Sequence, residues 1–386
     1  MSKIDDLIAK RCPDGVPHIS VEKVLVKIIA PEGVPKNAYQ PVGKYPIVNQ
    51  AQDLISAYSD DASKVMPLAS YIIFGDHTRC VKWVDFKFIA GESGTLIFKS
   101  LPDYEAKFIY YAIKNLFVES RGYNRHWTVL REMQIPLPPL EIQKEIVHIL
   151  DKFTELEAEL EAELEAKNRQ FEFYREILFE HSADDVEFKA IADIATIWRG
   201  RRFVKDDILE EGVPAVHYGE IYTKYGLEAS EAFSFLEPEL AAKLRFAKNG
   251  DVILVSAGET IEDIGKSFAW FGKQDIAIHD ACYGLRSRIV DPKYMVHFFN
   301  THNFRSQLRM FISSSKISAI STEKLGKVMI PVPSLEKQRE ISNLLDSFDT
   351  LMTDMSIGLP AEIKARRQQY EYYRNKLLTF KELDVA

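Results

Sequence analysis

The chain has 386 residues, 46% of them hydrophobic, which is enough for two folded domains of ordinary size and some additional structure. No stretch is apolar enough to span a membrane and the N-terminus lacks a signal-peptide pattern, so these features and three scattered cysteines predict a reducing, cytoplasmic location. The formal charge of −8 includes six glutamates between residues 155 and 165. Without them it is −2, so the total charge does not exclude basic patches that bind nucleic acid.

The first predicted unit covers residues 1–136 and combines a short N-terminal helical segment with a mixed α/β domain. Strand-like apolar runs occur at Tyr71–Phe74 and Phe86–Ile89, with turn residues between them. An aromatic segment with helical spacing follows at Ala106–Leu116. We therefore expect several strands followed by a packed helix.

A long helix is predicted next, at residues 137–182, and is called the central helix. Pro136, Pro138 and Pro139 forbid helix immediately before it, and neither proline nor glycine occurs from 141 to 180. Apolar residues recur at helical spacing through the segment. At about 1.5 Å per residue, such a helix is about 60 Å long.

A second mixed α/β domain is predicted at residues 183–331. Strand-like runs occur at Ala215–Tyr218, Asp251–Val255 and Ile276–Ile278, and a helical aromatic segment follows at Tyr294–Asn300. The order of patterns is the same as in the first domain, so the two halves of the chain are expected to share an architecture.

A second long segment, the distal helix, is predicted at residues 332–386, with a break or kink at Gly358-Leu359-Pro360. It repeats the sequence of the central helix. Residues 136–153 recur as residues 331–348, an offset of 195, with ten of eighteen positions identical. This repeat indicates an internal duplication.

Two weaker similarities extend the duplication. Residues 169–175 resemble residues 368–374, and residues 15–24 resemble residues 185–194 with an offset of 170. The N-terminal segment then corresponds to the end of the central helix. It would complete the repeat unit that begins with the distal helix at the C-terminus. This predicts that the two termini lie close together in a pseudo-twofold ring.

Each long helix has an apolar stripe that must be buried. Two copies in one chain favour packing of the two helices on each other as a coiled coil. The alternative is that each helix packs only on its own neighbouring domain.

The sequence resembles a known family at these helices. The motif Pro-Leu-Pro-Pro-Leu-Glu-x-Gln from Pro136 to Gln143, and the segment Leu359–Arg374, resemble helical regions of type I restriction–modification specificity subunits. Gly75–Arg79, preceded by Tyr45–Asn49, resembles the first half of a target-recognition domain in that family. The resemblance implies an α+β fold with two mixed α/β target-recognition domains separated by two long antiparallel coiled-coil helices, pseudo-twofold.

The resemblance also implies a function and partners. The chain would be a non-catalytic subunit, without cofactor or metal, that binds a bipartite double-stranded DNA target with a non-specific gap. Two modification subunits would supply S-adenosylmethionine-dependent adenine methylation, and two restriction subunits would supply ATP-driven translocation and cleavage. The helix residues expected to bind these subunits are Leu140, Ile146, Leu150, Leu156, Leu160, Leu164, Leu335, Ile341, Leu345, Phe348, Tyr370 and Tyr373.

The central helix would set the length of the gap, because domains held at a fixed separation read sites at a fixed separation. Inserting one Glu-Leu-Glu-Ala unit would lengthen the helix by about 6 Å. We therefore expect a longer preferred gap and unchanged half-sites.

Side chains that read bases are arginine, lysine, amides and hydroxyls presented on loops. The candidates in the first domain are Asn49, Gln50, Gln52, His77, Thr78, Arg79, Arg121, Tyr123, Asn124, Arg125 and His126. The candidates in the second domain are Arg199, Arg201, Arg202, Lys224, Tyr225, Lys266, Ser315 and Lys316. For each of them the alternative is an ordinary solvated loop.

The segment Gly258–Ser267 ends in Gly-Lys-Ser, but six residues separate its glycines where an ATP-binding loop has four, so a hairpin is predicted instead. No motif of an amino-methyltransferase or of a metal site is found in the sequence. A methyltransferase with a fused recognition domain is therefore not favoured, and two alternatives remain: a stand-alone DNA-binding regulator and a coiled-coil scaffold protein.

Overall fold

The computed structural model describes residues 3–31, 33–91, 94–120, 122, 124–181, 186–312, 318–353 and 358–383. The chain divides into two compact units. Unit 1 comprises Met1–Glu161 and Glu362–Ala386, and unit 2 comprises Ala162–Ala361. The domain limits given above stay a prediction, because each compact unit also contains part of the long helices.

Unit 1 contains a four-stranded antiparallel sheet, a three-stranded sheet and the helices that cover them. Its elements before the central helix are α1 (Lys3–Arg11), β1 (His18–Ser20), β2 (Leu25–Ile28), β3 (Tyr45–Val48), β4 (Ala57–Ser59), β5 (Tyr71–Gly75), β6 (Val81–Val84), β7 (Ile89–Ala90), β8 (Thr95–Ser100), α2 (Ala106–Asn115), α3 (Trp127–Leu130) and β9 (Gln134–Pro136).

The central helix is α4 (Leu140–His181), which contributes its first turns to unit 1 and its later turns to unit 2. The elements that follow are β10 (Phe188–Ala190), α5 (Ile191–Ile194), β11 (Ala195–Arg199), β12 (Val213–Val216), α6 (Glu220–Thr223), β13 (Glu228–Ala229), β14 (Ser234–Leu236), α7 (Pro238–Ala241), β15 (Phe246–Ala247), β16 (Asp251–Val255), β17 (Ala257–Gly258), β18 (Ser267–Trp270), β19 (Ile276–Ile278), β20 (Cys282–Ser287), α8 (Pro292–Phe299), α9 (His302–Phe311), β21 (Ser318–Ala319), α10 (Thr322–Gly326), β22 (Met329–Pro331), α11 (Leu335–Thr353) and α12 (Gly358–Leu377).

The two units repeat one sheet arrangement. The larger sheet has the order β2-β8-β5-β6 in unit 1 and β11-β20-β16-β18-β13 in unit 2. The smaller sheet has the order β4-β3-β7 in unit 1 and β14-β12-β19-β15 in unit 2. Each smaller sheet contains one parallel pair, β3 with β7 and β12 with β19. This repetition confirms the expected shared architecture of two mixed α/β domains.

Each domain is closed by a short antiparallel pair at the point where the chain enters and leaves it. His18 pairs with Pro136 in unit 1, and Phe188 pairs with Pro331 in unit 2. His18 and Phe188 are 170 positions apart, and Pro136 and Pro331 are 195 positions apart, as are the similar segments of the sequence. The weak similarity of residues 15–24 to residues 185–194 therefore reflects a real structural repeat.

The long helices pack on each other within each unit, as predicted. In unit 1 the ring of Phe153 stacks on that of Tyr373 with centroids 5.5 Å apart, and Arg367 binds Glu157 and Glu161. These contacts run in opposite directions along α4 and α12, so this pair is antiparallel. In unit 2, Phe171 of α4 lies 6.1 Å from Phe348 of α11 between ring centroids.

The distal helix is divided into α11 and α12, with residues 354–357 outside the described residues. Gly358 at the start of α12 has a φ of +64°, and a Cβ atom there would lie 2.9 Å from the carbonyl oxygen of Leu351. This left-handed conformation favours glycine. The break therefore falls where Gly358-Leu359-Pro360 predicted it.

The described N- and C-terminal segments of the chain meet inside unit 1. The amide of Val16 donates to the carbonyl of Lys381, and the amide of Leu383 donates to the carbonyl of Val16, both at 2.9 Å. The side chain of Lys376 forms an ion pair with Asp5 at 2.8 Å. The predicted proximity of the termini is confirmed.

One strand prediction is wrong and one is displaced. Phe86–Phe88 is not a strand, because these residues do not pair in a strand ladder; the carbonyl of Phe88 accepts instead from the amide of Met66 at 2.7 Å. Only Ile89–Ala90 pairs, with β3. The run at Ala215–Tyr218 begins earlier and ends at Val216, where the chain leaves the sheet.

Candidate nucleic-acid interface

The parallel strand pair ends in the same way in both units. The amide of Gly91 donates to the carbonyl of Val48 at 2.8 Å, and the amide of His279 donates to that of Val216 at 3.3 Å. Parallel strands have their carboxyl ends at the same edge of a sheet, where α/β folds commonly place ligand sites. We call the residues beyond these ends, 49–53 with 76–80 and 91, the strand-end surface of unit 1, and 199–202 with 217–222 and 279–281 that of unit 2.

In unit 1 a buried lysine holds the loop that follows β3. The ammonium group of Lys82 donates to the carbonyls of Asn49, at 2.9 Å, and of Asp53. Burial lowers the pKa of Lys82. The Asn49 side-chain oxygen accepts from the amide of Ala51 at 2.8 Å and from the Ser56 hydroxyl at 2.6 Å. These hydrogen bonds therefore hold the loop after β3 in a defined conformation.

Gln50 joins this loop to the turn between β5 and β6. Its side-chain oxygen accepts from the amide of His77 at 3.2 Å, and its carbonyl accepts from the hydroxyl of Thr78 at 2.5 Å. The structure thus brings together Asn49, Gln50, His77 and Thr78, which the sequence could only name separately. Gln52 is exposed beside them in the sequence.

Arg79 completes the same turn in an unusual conformation. Its φ is +65°, in the left-handed region that bulky side chains rarely adopt. Its guanidinium donates to the carbonyl of Val118 at 3.0 Å. The side chain therefore supports the turn while remaining half-buried at the surface.

His126 belongs to the core of unit 1, which removes it from the exposed candidates. It is fully buried, and its Nδ1 lies 2.8 Å from the carbonyl of Asp76. The neighbouring Asn124 and Arg125 are exposed, so they remain candidates. Arg121 and Tyr123 lie outside the described residues, as do Ser315 and Lys316 of the second domain.

In unit 2 the strand ends carry two stacked histidines. The rings of His217 and His279 are 4.6 Å apart between centroids, and Tyr218 lies 4.5 Å from His217. Burial, together with the neighbouring His279, lowers the pKa of His217 to about 4. Burial also lowers the pKa of His279. Both rings are therefore neutral at pH 7. Both are also buried, so the half-buried ring of Tyr218 is the part of this cluster that reaches the surface.

The basic loop Arg199–Arg202 lies directly on this histidine pair. A Cβ atom on Gly200 would be 2.2 Å from the carbonyl oxygen of His279, so only glycine allows this approach. The guanidinium of Arg199 donates to the carbonyl of Asp280 at 2.6 Å, and that of Arg201 donates to the carbonyl of Lys243 at 2.6 Å. Arg202 is exposed, and its charge contributes to lowering the pKa of His279.

Lys266 extends the same surface from the turn before β18. Its ammonium lies 4.7 Å from the ring centroid of Tyr222 and 3.2 Å from the carboxylate of Asp263. Burial raises the pKa of Tyr222, which keeps its hydroxyl protonated. Residues Ser267–Trp270 form a strand antiparallel to β16, so Gly258–Ser267 lies in a hairpin, as predicted, and not in a phosphate-binding loop.

Two other candidates in unit 2 have structural contacts. Tyr225 is buried, with its ring stacked on that of Phe268 at 4.3 Å between centroids, so it is a core residue. Lys224 is exposed but forms an ion pair at 3.0 Å with the buried carboxylate of Glu220. The loop prediction for Tyr225 did not anticipate this burial.

Sequence reasoning missed His217, Tyr218 and His279 as site residues. Isolated histidines and tyrosines give no signal, and the two histidines are brought together only by the pairing of β12 with β19. Aligning the two halves on their parallel strands would have found them, because Asn49 and Gly91 occupy the matching positions in unit 1.

The predicted subunit-binding residues differ in exposure. Four are buried in the core of their own unit: Ile146, Leu150, Ile341 and Leu345. Four are exposed: Leu140, Leu156, Leu335 and Phe348. Four are half-buried: Leu160, Leu164, Tyr370 and Tyr373. In this structure the buried four hold each domain on its helix, and the others remain candidates for binding partners.

A pair of exposed aromatic residues was overlooked on the same helices. Phe173 is 61% exposed and Tyr372 is 63% exposed, and they occupy matching positions of the sequence repeat. Each lies beside a second aromatic ring, Tyr174 at 6.0 Å and Tyr373 at 5.3 Å between centroids. Exposed aromatic pairs are typical of protein interfaces.

Two further observations concern the described part of the chain. Within the described residues, no group of three or more His, Cys, Asp or Glu side chains is placed to hold a metal ion. None of the helices there combines the length and apolar character needed to cross a membrane.

Comparison with known proteins gives consistent results. The model of the family described as "Type I restriction modification DNA specificity domain" matches residues 25–166 and 183–365. The chain is 29% identical over 353 residues to the EcoR124I/EcoR124II specificity subunit of Escherichia coli, covering 87% of each protein. It is 29% identical over 263 residues to a putative type I restriction enzyme specificity subunit of Haemophilus influenzae, covering 65% of each.

Solved structures show the same fold. A chain from a study of complex assembly and conformational transition of the type I restriction–modification system matches with a TM-score of 0.65 at 15% identity, covering 95% of this chain and 98% of that one. The type I specificity subunit from M. genitalium matches with a TM-score of 0.50 at 17% identity, covering 94% and 96%. With two copies of the family's domain covering most of its length, the chain belongs to the type I restriction–modification DNA-specificity family.

Proposed function

We propose that this chain is the DNA-recognition subunit of a type I restriction–modification enzyme and that each unit reads one half of a bipartite target. The observation that carries the proposal is the pair of strand-end surfaces. One sheet arrangement occurs twice, yet matching positions carry Asn49 and Gly91 in unit 1 and His217 and His279 in unit 2. A shared frame with unlike polar side chains suits the reading of two different half-sites.

The chemistry of the two surfaces fits base and phosphate contacts of different kinds. Unit 1 presents amides, which pair with adenine edges, and unit 2 presents arginines, which pair with guanine edges or phosphates. The half-buried ring of Tyr218, packed on the buried ring of His217, adds an aromatic group beside the arginines. The surface of unit 2 is therefore expected to dominate affinity, because phosphate contacts supply most of the binding free energy.

Genome-wide mapping of methylated adenines tests this function directly. Cells that express the complete enzyme with this chain should show methylation at one bipartite sequence with a fixed gap. Gln52→Ala should relax the bases of one half-site only, and Tyr218→Ala those of the other only. If both variants alter the same half-site, the assignment of one half-site to each unit is wrong.

The duplicated helices support the binding of two copies of one partner. Phe173 and Tyr372 expose equivalent aromatic rings, one in each unit, and a duplicated surface suits a duplicated modification subunit. The catalytic chemistry, adenine methylation and ATP-driven cleavage, is then supplied by the modification and restriction subunits, and this chain remains non-catalytic. Its expected compartment is the cytoplasm, where it meets the DNA.

The central helix is proposed to set the gap. It is one helix of 42 residues without proline or glycine, so an insertion of Glu-Leu-Glu-Ala after Ala162 adds length without a natural break. The insertion should lengthen the preferred gap, by at most two base pairs at about 6 Å of added rise. Methylation of altered half-sites at the original gap would contradict the proposal.

Two other functions make different predictions. A stand-alone regulator or a coiled-coil scaffold would not co-purify with a methyltransferase subunit. Tagged chain purified with the products of neighbouring genes should carry two modification subunits per chain. Recovery of the chain alone, with full DNA affinity, would favour the regulator.

A further inference from the structure

A polar contact between each domain and its long helix is duplicated in detail. Its residues are not among the predicted DNA-contacting or subunit-binding side chains. We call it the domain–helix contact. In unit 1 it consists of Gln143 and Asp151 on α4 with Glu105, Lys107 and Tyr111 at or in α2. In unit 2 it consists of Gln338 and Asp346 on α11 with Asp291, Lys293 and His297 at or in α8.

The glutamines fix the start of the domain helix. The Gln143 side-chain oxygen accepts from the amide of Glu105 at 3.0 Å, and its nitrogen donates to the carbonyl of Pro138 at 2.8 Å. Gln338 makes the same two bonds, from the amide of Asp291 at 2.8 Å and to the carbonyl of Pro333 at 2.8 Å. Both glutamines are buried, so these bonds are specific.

The aspartates fix the next turns of the domain helix. Asp151 binds Lys107 at 2.9 Å with one carboxylate oxygen and accepts from the Tyr111 hydroxyl at 2.6 Å with the other. Asp346 binds Lys293 at 2.9 Å and lies 2.8 Å from Nε2 of His297. Tyr111 and His297 are buried while the lysines are half-exposed. Charged hydrogen bonds of this kind depend strongly on direction.

The aspartates stand at a distance from the covalent connection of domain and helix. The chain passes from β9 to α4 through residues 137–139, and Asp151 lies eleven residues further than Leu140, about 16 Å along the helix. A domain attached only at its connection could pivot about it. A directional contact three turns along the helix opposes that rotation, which apolar packing alone resists less because apolar contacts have no preferred direction.

We propose that Asp151 and Asp346 are positioning residues that make the enzyme selective for gap length by preventing each recognition domain from pivoting on its helix. This proposal rests on the proposed function, since gap length has meaning only for a reader of two half-sites. It assigns to the two aspartates no contact with DNA.

The experiment uses the assembled enzyme with its modification subunits and measures methylation rates on three duplexes. They carry the mapped target with its native gap, with one base pair more and with one base pair fewer. Asp151→Asn and Asp346→Asn should each reduce the preference for the native gap by about three- to tenfold, the range expected when a neutral hydrogen-bonding amide replaces the charged carboxylate. The preference among half-site sequences should stay unchanged.

Matched controls lie on the same helices. Glu155→Gln and Glu336→Gln remove a charge from exposed positions of α4 and α11 and should leave the gap preference unaltered. Tyr111→Phe removes one hydroxyl, keeps the buried ring and should give a smaller change in the same direction. This variant tests the contact even if an aspartate variant does not fold.

The outcomes separate the two proposals. If the variants lower the rates on all three duplexes equally, the contact only stabilises the fold and the positioning role is refuted. If the unaltered enzyme shows no preference for gap length or half-site, the proposed function itself fails. A loss of gap preference in the aspartate and Tyr111 variants, with the glutamate controls unchanged, supports the positioning role.

Discussion

The two strand-end surfaces differ where their backbones agree. In unit 1 the position beside Asn49 is Gly91, whose missing side chain leaves room for the asparagine, since a Cβ atom there would be 2.4 Å from that of Asn49. In unit 2 the same backbone bond brings His279 against His217. The sheets and the helix contacts are alike in the two units while the residues at the strand ends differ, so the ends that we propose to face DNA can vary within one shared frame.

The largest expected effect is the loss of the arginines in unit 2. Arg201→Ala with Arg202→Ala should weaken DNA binding by about 1–3 kcal/mol for each residue that contacts a base or phosphate. Titration of labelled target DNA with the assembled enzyme at several salt concentrations measures both affinity and salt slope. Lys273→Ala, an exposed lysine on the turn between β18 and β19, is the matched control. A loss of binding free energy in the double variant no more than twice that of the control would mean that only total charge matters.

A smaller effect is expected from a substitution at the strand-end surface of unit 1. Gly91→Ala forces a methyl group against Asn49 and should lower the free energy of unfolding by about 1–3 kcal/mol. It should also alter the half-site read by unit 1, because the loop held by Lys82 must shift. Denaturant unfolding and methylation mapping check the two effects. A fully stable variant with unchanged specificity would show that this close approach is unimportant.

The exposed aromatic residues allow the partner-binding surfaces of the two helical regions to be tested separately. Phe173→Ala and Tyr372→Ala should each weaken the binding of one modification subunit by about 1–2 kcal/mol and leave the other in place. Native mass spectrometry of the complexes would detect the intermediate with one modification subunit. Met310→Ala, an exposed residue of α9, serves as control. Simultaneous loss of both partners from either single variant would contradict independent docking sites.

The smallest effect concerns pH. Burial raises the pKa of Asp346, but hydrogen bonds from His297 and Lys293 outweigh burial and hold it below the ordinary value of 3.8. The unfolded chain therefore binds this proton at higher pH than the folded chain does. The stabilisation is present above the ordinary value and is lost, by at most about 1 kcal/mol, as the pH falls below it. Unfolding of the native chain and of Asp346→Asn from pH 3 to 6 should differ in slope. Parallel curves would exclude a contribution from this carboxylate.

Much of the architecture could be predicted from the sequence because duplication leaves two copies of each signal. The offsets of 170 and 195 identified equivalent segments of the two halves, which the structure shows to be the closing strand pairs, and the prolines before residue 140 fixed the start of α4. The break at Gly358 followed from the conformational demands of glycine and proline. These features depend on local chemistry, which the sequence displays directly.

The surfaces that we assign to DNA were harder to predict because they depend on long-range pairing. His217 and His279 are 62 positions apart and meet only through β12 and β19. His126 and Tyr225 lie in segments whose composition is typical of surface loops, yet tertiary packing buries both side chains. No periodicity separates a buried polar residue on a loop from an exposed one, so burial was the property that sequence reasoning could not supply.

The closing strand pairs have a consequence for how new variants of the protein can arise. Because His18 lies opposite Pro136, and Phe188 opposite Pro331, each domain begins and ends at neighbouring points of the backbone. A recombination event at both points would replace a whole domain as a cassette and preserve the flanking helices. One crossover product would then join an inherited domain with a foreign one, provided that the foreign domain keeps the contacts to its long helix.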